Sequence, residues 1–356
     1  MIYRILILIT DEIALFRYIT FRAAMAAVTA LLFSFVLGRP IIRFIKSINL
    51  TETIRNDGPA GHINKTGTPT MGGLLIICSI LSGVVFWADL SNPFIRILIL
   101  ITAILGILGI TDDLLKRRDK NGIKPAIKII VQVIVGLILG LFVLNYNAYG
   151  ITDTMTNIIF LKNIMINLSF MYIPFVILVL TGTTNAVNLS DGLDGLSAGM
   201  LAIIFTVFTA IAYISGNSVF SEYLNMHFIA GSGETTVFLA SSAAASLGFL
   251  WFNSHPAEIF MGDTGSLTLG GILAASAILL KQEILLLIAG GMFVVEAMSV
   301  IIQVTSFKLT GRRVFPMAPL HHSFEKMGMP ENKIVVRFWI VSILFGILAL
   351  STLKLR

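Results

Sequence analysis

Apolar runs near the length of a membrane-spanning helix recur along the chain, and short segments carrying most of the charge separate them. Ten such runs are read, at about 23–45, 72–87, 94–110, 126–144, 168–180, 196–214, 236–252, 266–280, 284–302 and 335–353. The pattern predicts an all-α, polytopic membrane bundle of about ten helices, with a single transmembrane domain over 23–356. Several runs are short, which predicts bending or burial among neighbours. Pro40 is expected to kink or end the first of them. Residues 1–22 are mixed, because the apolar stretch 5–9 is too short to span and Asp11-Glu12 interrupts it. They are read as an interfacial segment leading into the first span. Ala24-Met25-Ala26 mimics a signal-peptide cleavage site, but the apolar run continues past it.

Composition narrows the class. A chain of 356 residues that is 56% hydrophobic and 12% charged, with a mean hydropathy of +0.91, is not a soluble globular protein. The single cysteine, Cys78, sits inside an apolar run, so no intrachain disulfide forms and the redox compartment cannot be read. A net charge of +6 suits anionic lipid headgroups or an anionic substrate, and no aromatic-basic motif points to nucleic acid. The charge is also lopsided. Residues 39–65, 112–128 and 308–337, which follow odd-numbered runs, hold seventeen Lys and Arg. The loops after even-numbered runs hold three, Arg96, Lys162 and Lys281. The positive-inside rule then puts the odd loops in the cytoplasm and both termini outside. The polar motifs all fall in the odd loops, so one face carries the chemistry.

The densest of these motifs lies between Asn185 and Gly195, where two asparagines, two aspartates and two glycines interrupt an apolar background. Such a cluster belongs at a membrane edge or in a water-filled cavity. Asp191 and Asp194 stand three apart, so a helical start here would put both carboxylates on one face. Upstream, the glycine- and proline-rich stretch 58–73 prescribes a shaped loop. Its Lys65, Thr68 and Thr70 offer a charge and hydroxyls suited to phosphate or nucleotide oxygens. Asp112-Asp113 ends the third run, and adjacent carboxylates project about 100° apart on a helix, which predicts different jobs for the two. Lys116, Arg117, Arg118, Lys120, Lys124 and Lys128 follow, a set that suits a lipid phosphate and equally a headgroup anchor.

Asp263, flanked by Gly262 and Gly265 ahead of the eighth run, is placed to bind a cation while nearby amides meet phosphate oxygens. An N-cap role would explain it as well. Finally, Pro316 to Glu325 brings two adjacent histidines, His321 and His322, into a proline-fixed turn, where they are suited to donate to a diphosphate or a sugar. Zinc is disfavoured because His62, His227 and His255 lack ligand spacing and no cysteine is near. The Asp191 to Gly195 spacing does not match a calcium loop. Oxygen-only candidates indicate a hard cation, Mg²⁺ or Mn²⁺, and a hard cation beside phosphate-binding loops indicates phosphoryl-type transfer. An acceptor embedded in the bilayer would explain why the enzyme is polytopic.

Five motifs in order, Gly58 to Gly73, Asp112-Asp113, Asn188 to Gly195, Met261 to Gly265 and Ala318 to His322, resemble those of the phospho-N-acetylmuramoyl-pentapeptide transferases, within the polyprenyl-phosphate N-acetylhexosamine-1-phosphate transferase superfamily. The resemblance covers about residue 20 to the C-terminus. It implies a bacterial inner-membrane homodimer of ten-span subunits that uses Mg²⁺ in peptidoglycan synthesis. It further implies transfer of phospho-MurNAc-pentapeptide from UDP-MurNAc-pentapeptide to undecaprenyl phosphate, giving lipid I and UMP. Carried over residue by residue, it makes Asp263 the Mg²⁺ ligand and Asp112 and Asp113 the catalytic pair. Asn188, Asp191, Asp194 and Asn253 would line a polar cleft, with Phe260 and Lys65 near the nucleotide. His321 falls on the essential histidine, with His322 beside it. One departure is Ser323, which stands where the family usually has a third histidine, and a supporting role is expected for that position. A sibling activity on UDP-N-acetylglucosamine would share the aspartates but not the 58–73 loop or the paired histidines. A transporter would place broken helices near the midplane rather than motifs at helix ends on one face.

Overall fold

The computed structural model describes residues 14–48, 67–117, 122–146, 154–157 and 165–355. Among these, thirteen helices and one two-stranded hairpin form an all-α membrane bundle. A single 3₁₀ turn leads into α1 (Ile19–Ser47), which starts four residues before the expected boundary. Pro40 does not end this helix, which runs 29 residues to Ser47. Then come α2 (Gly73–Trp87), α3 (Pro93–Lys116) and α4 (Pro125–Asn145). The latter two each start with proline, whose fixed φ and missing N–H suit a first turn.

A hairpin of β1 (Met155–Asn157) and β2 (Met165–Asn167) follows, paired antiparallel with Thr156 opposite Ile166. It was not expected from the sequence. Next come α5 (Tyr172–Leu189), α6 (Leu196–Ser215), the short α7 (Ser218–Tyr223), α8 (Glu234–Asn253) and α9 (Gly262–Leu279). The expected ninth span is two helices, α10 (Glu283–Ala289) and α11 (Gly291–Thr310), broken at Gly290. A glycine pair is a usual cause of such a break, and a side chain at Gly291 would run into the Phe345 ring. The chain ends with α12 (Leu320–Lys326) and α13 (Glu331–Thr352).

Eight of these helices are long and apolar enough to cross a membrane. Two of the ten expected segments differ. The α2 helix has only 15 residues. The α9 helix carries small and polar residues throughout, and every residue from Asp263 to Leu279 is buried. It needs no lipid-compatible face because α2, α3 and α5 surround it. Without a hydrophobic drive between helices in lipid, such contacts depend on close backbone approach. Here a methyl at Gly73 would overlap the backbone of Gly265, and one at Gly109 would overlap that of Thr264. Helix α9 is therefore a central post with its N-terminus held at one end of the bundle.

Polar ties gather at both ends. Arg22 near the start of α1 donates to Glu234 at the start of α8 at 2.8 Å. Asn92 donates to the Gly231 carbonyl at 2.9 Å, and Lys354 to that of Tyr223 at 2.7 Å. The opposite end receives the C-terminus of α3, the N-termini of α4, α6, α9 and α13, and the C-termini of α5 and α8. Every motif singled out above that lies within the described residues is there or in the adjoining 316–325 segment.

Candidate active site

The last turn of α3 delivers two buried carboxylates to the N-terminus of α9, and each has its own partners. Asp113 Oδ1 accepts from the Asp263 backbone N–H at 3.1 Å, and Oδ2 from the Thr264 N–H at 3.0 Å and hydroxyl at 2.7 Å. It satisfies amides that the first turn of α9 cannot pair internally. The chain reaches this position through Gly262 at φ +70°, where a Cβ would lie 2.6 Å from Asp113 Oδ2 and 3.0 Å from the Thr70 hydroxyl. Asp112 is fully buried and is held by other groups. Its Oδ1 accepts from the Ile123 amide at 2.8 Å, and its Oδ2 lies 2.8 Å from both the Lys116 and Lys128 ammonium groups.

The same two lysines reach Asp263, Lys116 at 3.0 Å and Lys128 at hydrogen-bond distance. Asn188, in the last turn of α5, donates one amide to Asp263 at 3.1 Å and to the Ser266 hydroxyl at 2.8 Å. Burial raises the pKa of the Asp263 carboxyl, but the Lys116 and Lys128 charges outweigh it and hold the group well below the usual carboxylate range. One oxygen from each of Asp112, Asp113 and Asp263 lies within 4.8 Å of the others. An all-oxygen donor set of this kind fits a hard divalent cation.

A second group of residues meets around the turn between α5 and α6. Because α5 continues to Leu189, Asn188 is helical, whereas Asp191 and Asp194 lie in the turn that precedes α6. The expectation that a helical start would set both aspartates on one helix face is therefore corrected: the helix begins only after Gly195 at φ +77°. Asp194 accepts from the Ala257 amide at 3.2 Å and meets His255 Nδ1 at 2.9 Å, and its own N–H donates to Glu331 at 2.7 Å. Asn253 accepts from the Gly195 amide at 3.0 Å and donates to the Ile259 carbonyl at 2.8 Å, so it ties two loops together. The rings of His321 and His322 lie 4.2 Å apart, and both direct Nε2 toward Gly192. His321 Nδ1 meets Glu296 at 3.0 Å, and His322 Nδ1 meets Glu325 at 2.6 Å. Ser323 exchanges hydrogen bonds with the Met317 backbone and closes the turn that presents the two histidines.

Phe260 is held by its backbone, its N–H donating to Pro69 and its carbonyl accepting from Gly72, each at 2.8 Å. This pairing seats residues 69–73, with Thr70, against the entrance of α9. Lys65 lies outside the described residues, as does the rest of 58–66. The structure thus brings Asp112, Asp113, Asp263, Asn188 and Thr70 into one cluster. His321 and His322 face Gly192 and Asn253 holds Gly195, so all three meet the turn that carries Asp194, and the segment 188–195 links this turn to the first cluster.

Four further residues meet these clusters: Glu296 and Glu331, which the sequence reading did not single out, and Lys116 and Lys128, which it left between two roles. In the sequence Lys116 and Lys128 suit a lipid phosphate and a headgroup anchor equally, and in the structure they bridge the carboxylates of Asp112 and Asp263. The available signal was position, since a cation in the first turn of α4, as at Lys128, opposes the helix dipole and calls for an anionic partner. Glu296 stood alone in an apolar run and Glu331 opened one. The signal for Glu296 was the expense of a lone carboxyl in a spanning segment.

Comparison with known proteins falls on these same elements. The glycosyl transferase family 4 model matches residues 95–281, from α3 through α9. A phospho-N-acetylmuramoyl-pentapeptide-transferase signature matches residues 65–77, across the Thr70 turn and into α2. The phospho-N-acetylmuramoyl-pentapeptide-transferase of Thermodesulfovibrio yellowstonii is 47% identical over 362 residues, covering all of both chains. That of Pelagibacter ubique is 47% identical over 367 residues with the same coverage. That of Endomicrobium trichonymphae is 45% identical over 96% of this chain and 95% of its own. The chain belongs to the phospho-N-acetylmuramoyl-pentapeptide transferases. As a member of that family it is a polytopic membrane transferase of peptidoglycan synthesis. The family model stops short of His321 and His322, but the full-length relatives extend over both.

Proposed function

We propose that the chain transfers phospho-MurNAc-pentapeptide from UDP-MurNAc-pentapeptide to undecaprenyl phosphate, releasing UMP and leaving lipid I in the membrane. The observation that carries this reading is the meeting of three carboxylates with two lysines at the N-terminus of α9, in a chain of this family. Asp263 and Asp112 would hold Mg²⁺, with Asn188 orienting Asp263. When bound, the cation would supply charge neutralisation to the diphosphate. Asp113 holds the first turn of α9, and thereby Asp263, in place.

The acceptor needs little deprotonation, because a phosphate monoester loses its second proton near pH ~6. The larger problem is bringing a dianion against a diphosphate among carboxylates. Lys116 and Lys128 are positioned to offset that repulsion, which favours direct attack. An oxygen of the lipid phosphate forms a bond to the sugar-linked phosphorus, the bond from that phosphorus to the bridging oxygen breaks, and UMP leaves with that oxygen. Asp112 orients the acceptor or takes its residual proton. The turn carrying Asp191 and Asp194, with Asn253, Phe260, Thr70 and Lys65, binds the nucleotide and diphosphate, while His321 and His322 hydrogen-bond to the same substrate. The reading includes a homodimer, and a cytoplasmic active face with both termini outside.

Purified enzyme with UDP-MurNAc-pentapeptide labelled in the uridine tests the proposal. Labelled UMP should appear only with undecaprenyl phosphate present, one for each lipid-linked product, and UDP-N-acetylglucosamine should not replace the donor. Release without acceptor, or equal use of UDP-N-acetylglucosamine, would contradict it. Exchange of labelled UMP into the donor in lipid-free enzyme would contradict direct attack and indicate an aspartyl-phosphate intermediate.

A further inference from the structure

Glu296 lies in α11 with its side chain fully buried. A carboxyl in such surroundings is costly unless its oxygens are engaged. Both are engaged, and by one residue. Oε1 accepts from the His321 backbone N–H at 3.2 Å, and Oε2 meets His321 Nδ1 at 3.0 Å. Because an ionised carboxylate only accepts, the arrangement places the proton on Nδ1 and leaves Nε2 facing away. His321 is itself fully exposed to nothing but protein, at 0% accessibility, and its Nε2 has no hydrogen-bond partner. That nitrogen points at Gly192, where a side chain would occupy its place, in the turn joining the two clusters of the site. A buried nitrogen with no partner is costly to maintain, so its orientation requires an account.

We propose that Glu296 is a positioning residue for the transfer reaction. It fixes the His321 ring and its Nδ1–H tautomer, so that the unprotonated Nε2 is presented across Gly192 as an acceptor for a hydroxyl of the bound substrate. The logic is that of a carboxylate behind a working imidazole, where the distant acid sets tautomer and aim and touches nothing that reacts. Grip on the backbone N–H as well as the ring distinguishes Glu296 from Glu325, whose contact with His322 spans one turn of α12. The inference rests on the role of His321 in the proposed function.

A double-mutant cycle in detergent separates positioning from general support. Glu296→Gln keeps the side chain's volume but cannot accept both hydrogen bonds through oxygen. It should lower kcat by about 10- to 100-fold, with KM for each substrate within about threefold and a melting temperature close to that of the wild type. In a His321→Ala background the same change should cost less than about threefold, because its route of action is gone. Should Glu296→Gln fold poorly, Glu296→Asp carries the same cycle: the carboxylate is kept but withdrawn by one methylene. Losses that multiply fully in the double variant, or a Glu296→Gln enzyme with wild-type kcat, would overturn the inference alone. Wild-type turnover by His321→Ala would overturn the histidine's role and the inference with it.

Discussion

At the scale of single residues, the site is a problem in charge balance. Three carboxylates converge with two ammonium groups, and Asp112 and Asp263 share both lysines. Removing one partner of a buried ion pair leaves an uncompensated charge and costs more than the intact pair contributes. Lys128 has one-fifth of its side chain exposed, and Lys116 remains beside it, so the loss is moderated. Lys128→Met should destabilise the metal-free protein by about 1–3 kcal/mol. Saturating Mg²⁺ should then raise its melting temperature more than it raises that of the wild type, because a bound cation replaces the missing charge. Differential scanning fluorimetry with and without Mg²⁺ reads both effects, and an equal Mg²⁺ response in the two proteins would contradict the shared-lysine account. The carboxylates themselves were legible in the sequence, since acidic residues in apolar surroundings need a reason. Their lysines were not, because a basic residue beside a membrane always has the headgroups as an alternative partner.

Among the elements, α9 decides where the site forms. Its first turn is capped by Asp113 from α3 and paired through the Phe260 and Met261 backbone to residues 69–73. Its flank is met by glycines on α2 and α3. Gly73→Ala inserts a methyl where the Gly265 backbone now lies, so α2 and α9 must separate. The expected result is a lower melting temperature and a loss of turnover of at least tenfold, although residue 73 bears no reacting group. Gly182→Ala, in α5 with open space around the added methyl, should leave both nearly unchanged. Activity and thermal melting of the two variants, measured side by side, check the contrast. Helix existence could be read from apolar runs because their length matches a bilayer. The break at Gly290 was hidden because the run 284–302 is apolar on both sides of it, and hydropathy reports burial rather than direction. The continuation of α5 to Leu189 was hidden for the opposite reason. Asn185 and Asn188 lower the local hydropathy, yet Asn185 is held by Gln132 at 2.8 Å and Asn188 by Asp263 and Ser266.

For the whole molecule, the seventeen-to-three bias of basic residues predicts an orientation, and the structure supplies exposed positions with which to test it. Met327, between α12 and α13, is 60% exposed, and Val219 in α7 is 70% exposed. Single cysteines at these sites, in a Cys78→Ser background, should react from opposite sides of the membrane, Val219→Cys from outside and Met327→Cys only after permeabilisation. Reaction of both from outside would contradict a cytoplasmic active face. The central claim is that the cluster at the entrance of α9 is the reaction centre. Its most direct test is UMP release from UDP-MurNAc-pentapeptide by Asp263→Ala across a range of Mg²⁺ concentrations, with undecaprenyl phosphate saturating and folding verified by thermal melting. The account predicts a loss of at least about 10³-fold that no concentration of Mg²⁺ restores. Turnover by the folded variant within tenfold of the wild type would place the chemistry elsewhere.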